Sequence, residues 1–258
     1  MIALSFGLLV SVVLIFLNQR FHLFSSDHFP TSAHKSGAYV WLTLFVVLLS
    51  VLIAASSKAP ATADQLRATP FWSLFTLHLI LIVFLAGWWW LAGRPPVGRF
   101  LNLTSREAAQ STLLGVGVGV GGWLLTIAIA LAIGLILSAA GLAPHDLKAP
   151  AMIPWMAALP IWKKAVIVFM AMTVEEAFYR GWLQKRTGLI VSTVLFALSH
   201  AGYGQPLMLI GVTVISTIIG ITFWRTKNLV PCIIAHGVFD AVQLFVIVPL
   251  VLKLNPGL

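Results

Sequence analysis

Long apolar runs separated by short polar or proline-containing stretches dominate the chain. Runs of roughly 17 to 25 apolar residues suffice to cross a hydrocarbon core of about 30 Å as helices. The pattern predicts spans near residues 2–17, 38–56, 72–93, 113–138, 165–184, 189–204, 206–224 and 229–251. The expected fold is therefore an all-α polytopic membrane protein of about eight transmembrane helices. That count rests on the short first run and on Gly202-Tyr203-Gly204-Gln205-Pro206, which reads either as a loop or as a re-entrant break.

Composition supports this. Of 258 residues, 60% are hydrophobic and 9% charged, against about a quarter charged in a soluble domain. A formal net charge of +9 would point to nucleic acid in a soluble protein. Here Lys and Arg sit at the ends of apolar runs, so anionic lipid headgroups are the expected partner and nucleic acid is not. Alternating the loops puts Arg20, Lys35, Arg94, Arg99, Arg106, Arg180, Lys185, Arg186, Arg225 and Lys227 on one side. Lys58, Arg67, Lys148, Lys163, Lys164 and Lys253 fall on the other. The richer side is expected to be cytoplasmic, with both termini facing away from it. Met1-Ile2-Ala3 brings no charge and the first run ends in Asn18-Gln19-Arg20, so it reads as a retained anchor and not a cleaved signal. The single cysteine, Cys232, excludes an internal disulfide and a Cys-rich zinc site, and reads as a small apolar helix residue.

Several other patterns have structural readings. The proline-spaced stretch from Pro144 to Pro160 looks like a surface-lying connection with Trp155 and Trp162 at headgroup depth, dividing the chain loosely into 1–143 and 144–258. Trp88-Trp89-Trp90 before Gly93-Arg94 fits an aromatic belt at the interface. Gly117 to Gly122 matches a dinucleotide-binding fingerprint only in letters, because that fingerprint needs a strand before it and a helix after it. Gly115 with Gly119, and Gly117 with Gly121, give instead the small-xxx-small spacing of closely packed membrane helices. His78, alone in an apolar helix with no acidic residue nearby in sequence, reads as a packing or interhelical hydrogen-bonding residue and is assigned no chemistry.

Candidate chemistry lies in the polar residues inside the spans. Of seven acidic residues, Glu175, Glu176 and Asp240 fall where apolar residues belong. A charge at the centre of a membrane helix costs a few kcal/mol on insertion scales, so such residues are functional candidates by default. His200 and His236 join them. Counted at about 1.5 Å per residue from the expected cytoplasmic ends, Glu175 lies about 16 Å deep, His200 about 18 Å, His236 about 12 Å and Asp240 about 18 Å. All four can share one layer. His236 and Asp240, spaced i, i+4, project from one helix face. Glu176 and Arg180 form an i, i+4 pair in the favourable acid-first order, which leaves Glu175 free as the reactive carboxylate, a candidate general base.

These residues fall in three segments: Glu175-Glu176-Ala177-Phe178-Tyr179-Arg180, Phe196-Ala197-Leu198-Ser199-His200 and His236-Gly237-Val238-Phe239-Asp240. They resemble, in order, the E-E-x-x-x-R, F-x-x-x-H and H-x-x-x-N/D motifs of the CAAX prenyl endopeptidases and their bacterial CPBP relatives. The resemblance covers about residues 165–245, and the first half of the chain carries no such motif. It implies a glutamate-dependent intramembrane endopeptidase, a CAAX-type protease in a bacterial inner membrane. Its substrate would be a membrane-associated peptide or protein, prenylated or not. Glu175 and His200 would activate water, with His236 and Asp240 stabilising the oxyanion and Glu176 and Arg180 as structural support. Prenyl-protease members usually carry asparagine at the last position; Asp240 could carry a proton, orient His236 or help ligate a metal. Glu175, His200, His236 and Asp240 together would suit Zn²⁺ and the label metalloprotease. Hydrolysis in a bilayer also predicts a hydrophilic cavity open to the cytoplasm between the fifth, sixth and last helices. Two other readings use the same residues: a non-catalytic scaffold or bacteriocin-immunity protein with a structural polar network, and an ion-coupled transporter, for which no internal repeat is visible.

Overall fold

The computed structural model describes residues 2–24, 27–56, 62–104, 107–142, 150–203 and 206–254. Lys58, Arg106 and Lys148 of the charge comparison, the Pro144 end of the proline-spaced connection and Gly204-Gln205 lie outside the described residues.

Every regular element among the described residues is helical. In chain order the long helices are α1 (Ile2–Phe21), α2 (Ser32–Ser56), α3 (Thr76–Leu91) and α4 (Ala108–Ala139). Then come α5 (Ile161–Met170), α6 (Lys185–Ser199), α7 (Pro206–Thr226) and α8 (Val230–Ala241). Two π-helical stretches, Ala171–Glu175 and Ala177–Gln184, carry α5 on to α6. Further turns carry α8 to Leu254. Helices dominate because a bilayer offers backbone groups no water, so each segment must satisfy its own N–H and C=O groups.

Among the described residues, six stretches are long and apolar enough to cross a membrane: Ala3–Phe21, Ser32–Ala55, Phe71–Leu91, Ala108–Ala139, Met208–Thr226 and Val230–Leu254. The two other expected spans lack that character. Residues 161–184 carry Lys163, Lys164, Glu175, Glu176 and Arg180, and α6 has 15 residues interrupted at Gly188, whose φ is 81°. Phe178 to Gln184 are all buried. This hairpin packs against α3, α7 and α8, so protein takes the place of lipid around its charges.

The N-terminal helices hold the hairpin through an aromatic cluster. Phe45 of α2 stacks on Phe84 of α3 at 4.0 Å between centroids, and Trp182 packs edge-on against Phe84 at 4.8 Å and Trp88 at 5.1 Å. Trp88 is fully buried. The expected aromatic belt is thus corrected: only Trp90 of the three is exposed, with the Arg94 guanidinium 5.7 Å from its ring. Trp88 and Trp90 point to different sides of a helix, and the side of Trp88 is taken by protein. Below this cluster, Arg186 Nε donates to Asp27 Oδ2 at 2.9 Å. A second guanidinium nitrogen pairs with Oδ1, and Trp88 and Trp182 cover the guanidinium.

Helices α4 and α8 run in close contact. A Cβ at Gly119 would come within 2.7 Å of the Ala235 carbonyl oxygen, and one at Gly115 within 2.9 Å of that of Pro231. Gly117 and Gly121 have nothing within 4 Å of such an atom, so only one of the two small-xxx-small pairs is a packing face. The helix period puts the other pair on the opposite side. Gly119→Val is expected to lower stability by about 1–3 kcal/mol through overpacking. Gly117→Ala should raise it by about 0.5–1 kcal/mol, since alanine loses less backbone entropy. Melting midpoints in lipid check both, and equal midpoints for the two variants would contradict this packing.

Candidate active site

Glu175 and Glu176 sit where the two π-helical stretches meet. Adjacent residues on a helix point roughly 100° apart, so the two carboxylates face different neighbours. Such π-helical turns are frequent at functional positions.

Glu175 faces two imidazoles. Oε1 lies 3.2 Å from Nε2 of His78 on α3, and Oε2 lies 3.9 Å from Nε2 of His200, just beyond α6. These side chains keep 14, 15 and 17% exposure for Glu175, His78 and His200. The tautomer of His200 follows from its other nitrogen. Nδ1 is 2.9 Å from the Phe196 carbonyl oxygen, which can only accept, so Nδ1 carries the proton. In the neutral ring Nε2 then presents its lone pair towards Glu175. Oε2 of Glu175 is buried without a hydrogen-bond partner among the described residues.

Glu176 belongs to a second, deeper network. Its Oε1 accepts from Nδ1 of His236 at 2.9 Å and lies 3.0 Å from Nη1 of Arg180. Arg180 Nη2 donates to the Ser216 carbonyl at 3.2 Å and to its Oγ at 3.0 Å. The guanidinium lies over the Phe196 ring, 4.6 Å from its centroid. Nε2 of His236 is 3.3 Å from Asp240 Oδ2. Glu176 and Arg180 side chains are 0 and 1% exposed, whereas Asp240 keeps 30%. The Phe196 ring touches both His200 and His236, with centroids 4.7 and 5.9 Å away.

The four expected site residues thus form two linked pairs, Glu175 with His200 and His236 with Asp240. Glu176 was expected to serve Arg180 alone, yet it also engages His236. The expected zinc set does not fit: no three or more His, Cys, Asp or Glu side chains gather as a metal-holding group among the described residues. Both nitrogens of His236 face carboxylates of this chain, so an ion at this ring would have to displace one of them. The arrangement does not support the label metalloprotease. Neither of two cavities among the described residues is the expected hydrophilic one. One cavity of about 220 Å³ lies at the helix ends beside Lys185, Gly188 and Lys227. Another of about 430 Å³ is an apolar groove between α4 and α7. None of the four residues lines either.

His78 meets another helix, as one of its two expected readings has it, but a carboxylate partner with chemistry of its own was not expected. It lies in register with Phe75, Leu81, Leu85 and Trp88, all buried, so its place on the inward stripe was visible in the helical period. Its acidic partner, far along the chain, was not.

Residues 155–242 match the Rce1-like family of type II CAAX prenyl endopeptidases. The Rce1-like segment includes all three motifs and both networks, apart from His78. Within the curated proteins, the chain is 36% identical over 80 residues to the Uncharacterized protein YpbD of Bacillus subtilis (strain 168). That alignment covers 30% of this chain and 42% of YpbD, so less than half of that relative is spanned. No solved structure matches. With six apolar helices and a Rce1-like segment, the chain is an integral multi-pass membrane protein related at the family level to proteases.

Proposed function

We propose that this chain is an intramembrane endopeptidase that hydrolyses a peptide bond in a membrane-held peptide or protein. The observation that carries the reading is Glu175 Oε2 facing Nε2 of His200 at 3.9 Å within the Rce1-like segment. That separation exceeds a hydrogen bond and allows one water to donate one proton to each group. Glu175 takes a proton from the water as its oxygen attacks the peptide carbonyl carbon. The proton then passes to the departing amine nitrogen as the C–N bond breaks. His236 supplies the oxyanion donor through Nε2–H, oriented by Glu176 at Nδ1. The substrate oxygen displaces Asp240 from that hydrogen. Access is from the cytoplasmic side of a bacterial inner membrane, where the basic helix ends lie.

The second reading, a scaffold or immunity protein, draws on the deeper network, in which Arg180, Glu176 and His236 satisfy one another. It leaves Oε2 of Glu175 unexplained, because burying an unpaired acceptor costs about 1–3 kcal/mol and helix packing alone gains nothing from it.

The test is cleavage of a panel of prenylated and unprenylated membrane peptides by the purified protein in lipid. Cleavage of at least one peptide, lost in Glu175→Ala while the protein stays folded, is the expected result. No cleavage of any peptide would move the weight to the scaffold. With His236 engaged at both nitrogens, a chelator is expected to leave the rate unchanged. Loss restored by added zinc would show that the side chains rearrange around an ion.

A further inference from the structure

We propose that His78 is a positioning residue for Glu175, so that the helices preceding the Rce1-like segment complete its site. This deepens the proteolytic reading and rests on it. Nε2 of His78 stands 3.2 Å from Glu175 Oε1, on the far side of the carboxylate from His200. The ring is held edge-on by Phe75, 5.8 Å between centroids, and α3 is fixed by Phe84 and Trp88 packing on Trp182. Neither ring nitrogen makes an aligned hydrogen bond among the described residues. A buried imidazole left that way costs about 1–3 kcal/mol, and a small rotation brings Nε2–H onto the carboxylate. Hydrogen bonds of this kind are commonly loose before substrate binds and tighten in the complex.

The chemistry needs such a group. A carboxylate acting as base must present one oxygen to the water and keep the other from turning towards it or pairing elsewhere. With Nε2–H of His78 on Oε1, the lone pairs of Oε2 are directed at the water shared with His200. His78 thus acts through Glu175, and no bond to substrate is asked of it. Misplacing a reacting group by about 1 Å costs up to about 10²-fold in rate. The match to the Rce1-like family begins at residue 155, well after α3, so this contribution comes from a part of the chain outside the match.

The experiment uses the full chain in lipid with a membrane peptide cleaved by wild type, and compares His78→Ala, His78→Gln and Glu175→Gln. For His78→Ala, kcat is expected to fall about 10- to 100-fold with KM nearly unchanged, because ground-state binding is untouched. His78→Gln should recover most of the rate, since its amide N–H reaches the position of Nε2. A merely structural role would give no such rescue. A melting series on His78→Ala, Glu175→Ala, which removes the carboxylate altogether, and the double variant reads the contact without substrate. The double shift is expected to be smaller than the sum of the single shifts, and additive shifts would overturn the contact. His78→Ala cleaving like wild type while Glu175→Gln is inactive would overturn this inference and leave the proteolytic reading standing. Full activity in Glu175→Gln, or no cleavage by wild type, would overturn both.

Discussion

Glu175→Gln is expected to lower kcat for peptide cleavage by about 10²- to 10⁴-fold, the range supplied by a positioned general base. The substitution keeps size and hydrogen-bonding capacity and removes basicity, so it separates chemistry from packing. Its melting midpoint should stay close to wild type, because Oε2 has no hydrogen-bond partner to lose. The contact to His78 on Oε1 can be kept by the amide oxygen. Single-turnover cleavage in lipid measures the effect, with circular dichroism to confirm folding. A variant that cleaves as fast as wild type would remove Glu175 from the mechanism and with it the basis for a water-activating site.

Glu176→Ala is expected to act on the fold before it acts on the chemistry. The carboxylate is wholly buried and faces both Arg180 and His236. Removing it strands at least one charge in a site with almost no exposure, and breaking a buried pair in this way costs about 3–5 kcal/mol. Against a total stability of about 5–15 kcal/mol, that loss should appear as a large drop in melting midpoint or in the yield of folded protein. Arg180→Ala should behave alike. A double replacement of Glu176 and Arg180 by leucine and methionine should recover part of the loss, because it removes both charges and refills the space. If Glu176→Ala melts with wild type, the network is not what ties α8 to the hairpin.

How much of this was legible depended on the range over which each signal acts. Apolar runs are local, so the helices fall where the pattern puts them, within a few residues at most ends. The count was less secure, since Lys163, Lys164, Glu175, Glu176 and Arg180 make 161–184 unlike a lipid-facing span, and only the surrounding helices explain its place in the bundle. The Glu176–Arg180 spacing is also local, and the structure has that pair at 3.0 Å. Depth counting relates helices only by height, and so could group Glu175, His200, His236 and Asp240 without saying who faces whom. That His236 turns to Glu176 depends on the rotation of α8 about its axis, to which height is blind. The same blindness hid Trp88 in the core and His78 beside Glu175. Chemical type could not help there, because a histidine on an apolar stripe looks the same whether its partner is a carbonyl or a carboxylate.

The contacts that reach back to the N-terminal helices also bear on how the molecule is made. Asp27, His78 and Trp88 emerge from the ribosome long before Arg186, Glu175 and Trp182. While α1 to α4 are threaded into the bilayer, an acid and an imidazole wait without the groups they meet in the finished protein, and Trp88 has the rings of Phe24, Phe29 and Phe84 but not that of Trp182. An arrested nascent chain ending before residue 161 therefore lacks the partners that Asp27 and His78 have in the finished protein, and the Trp182 ring that packs on Trp88. Arrival of the hairpin at 161–199 relieves all three sites in one docking event, so assembly of the bundle and assembly of the site coincide.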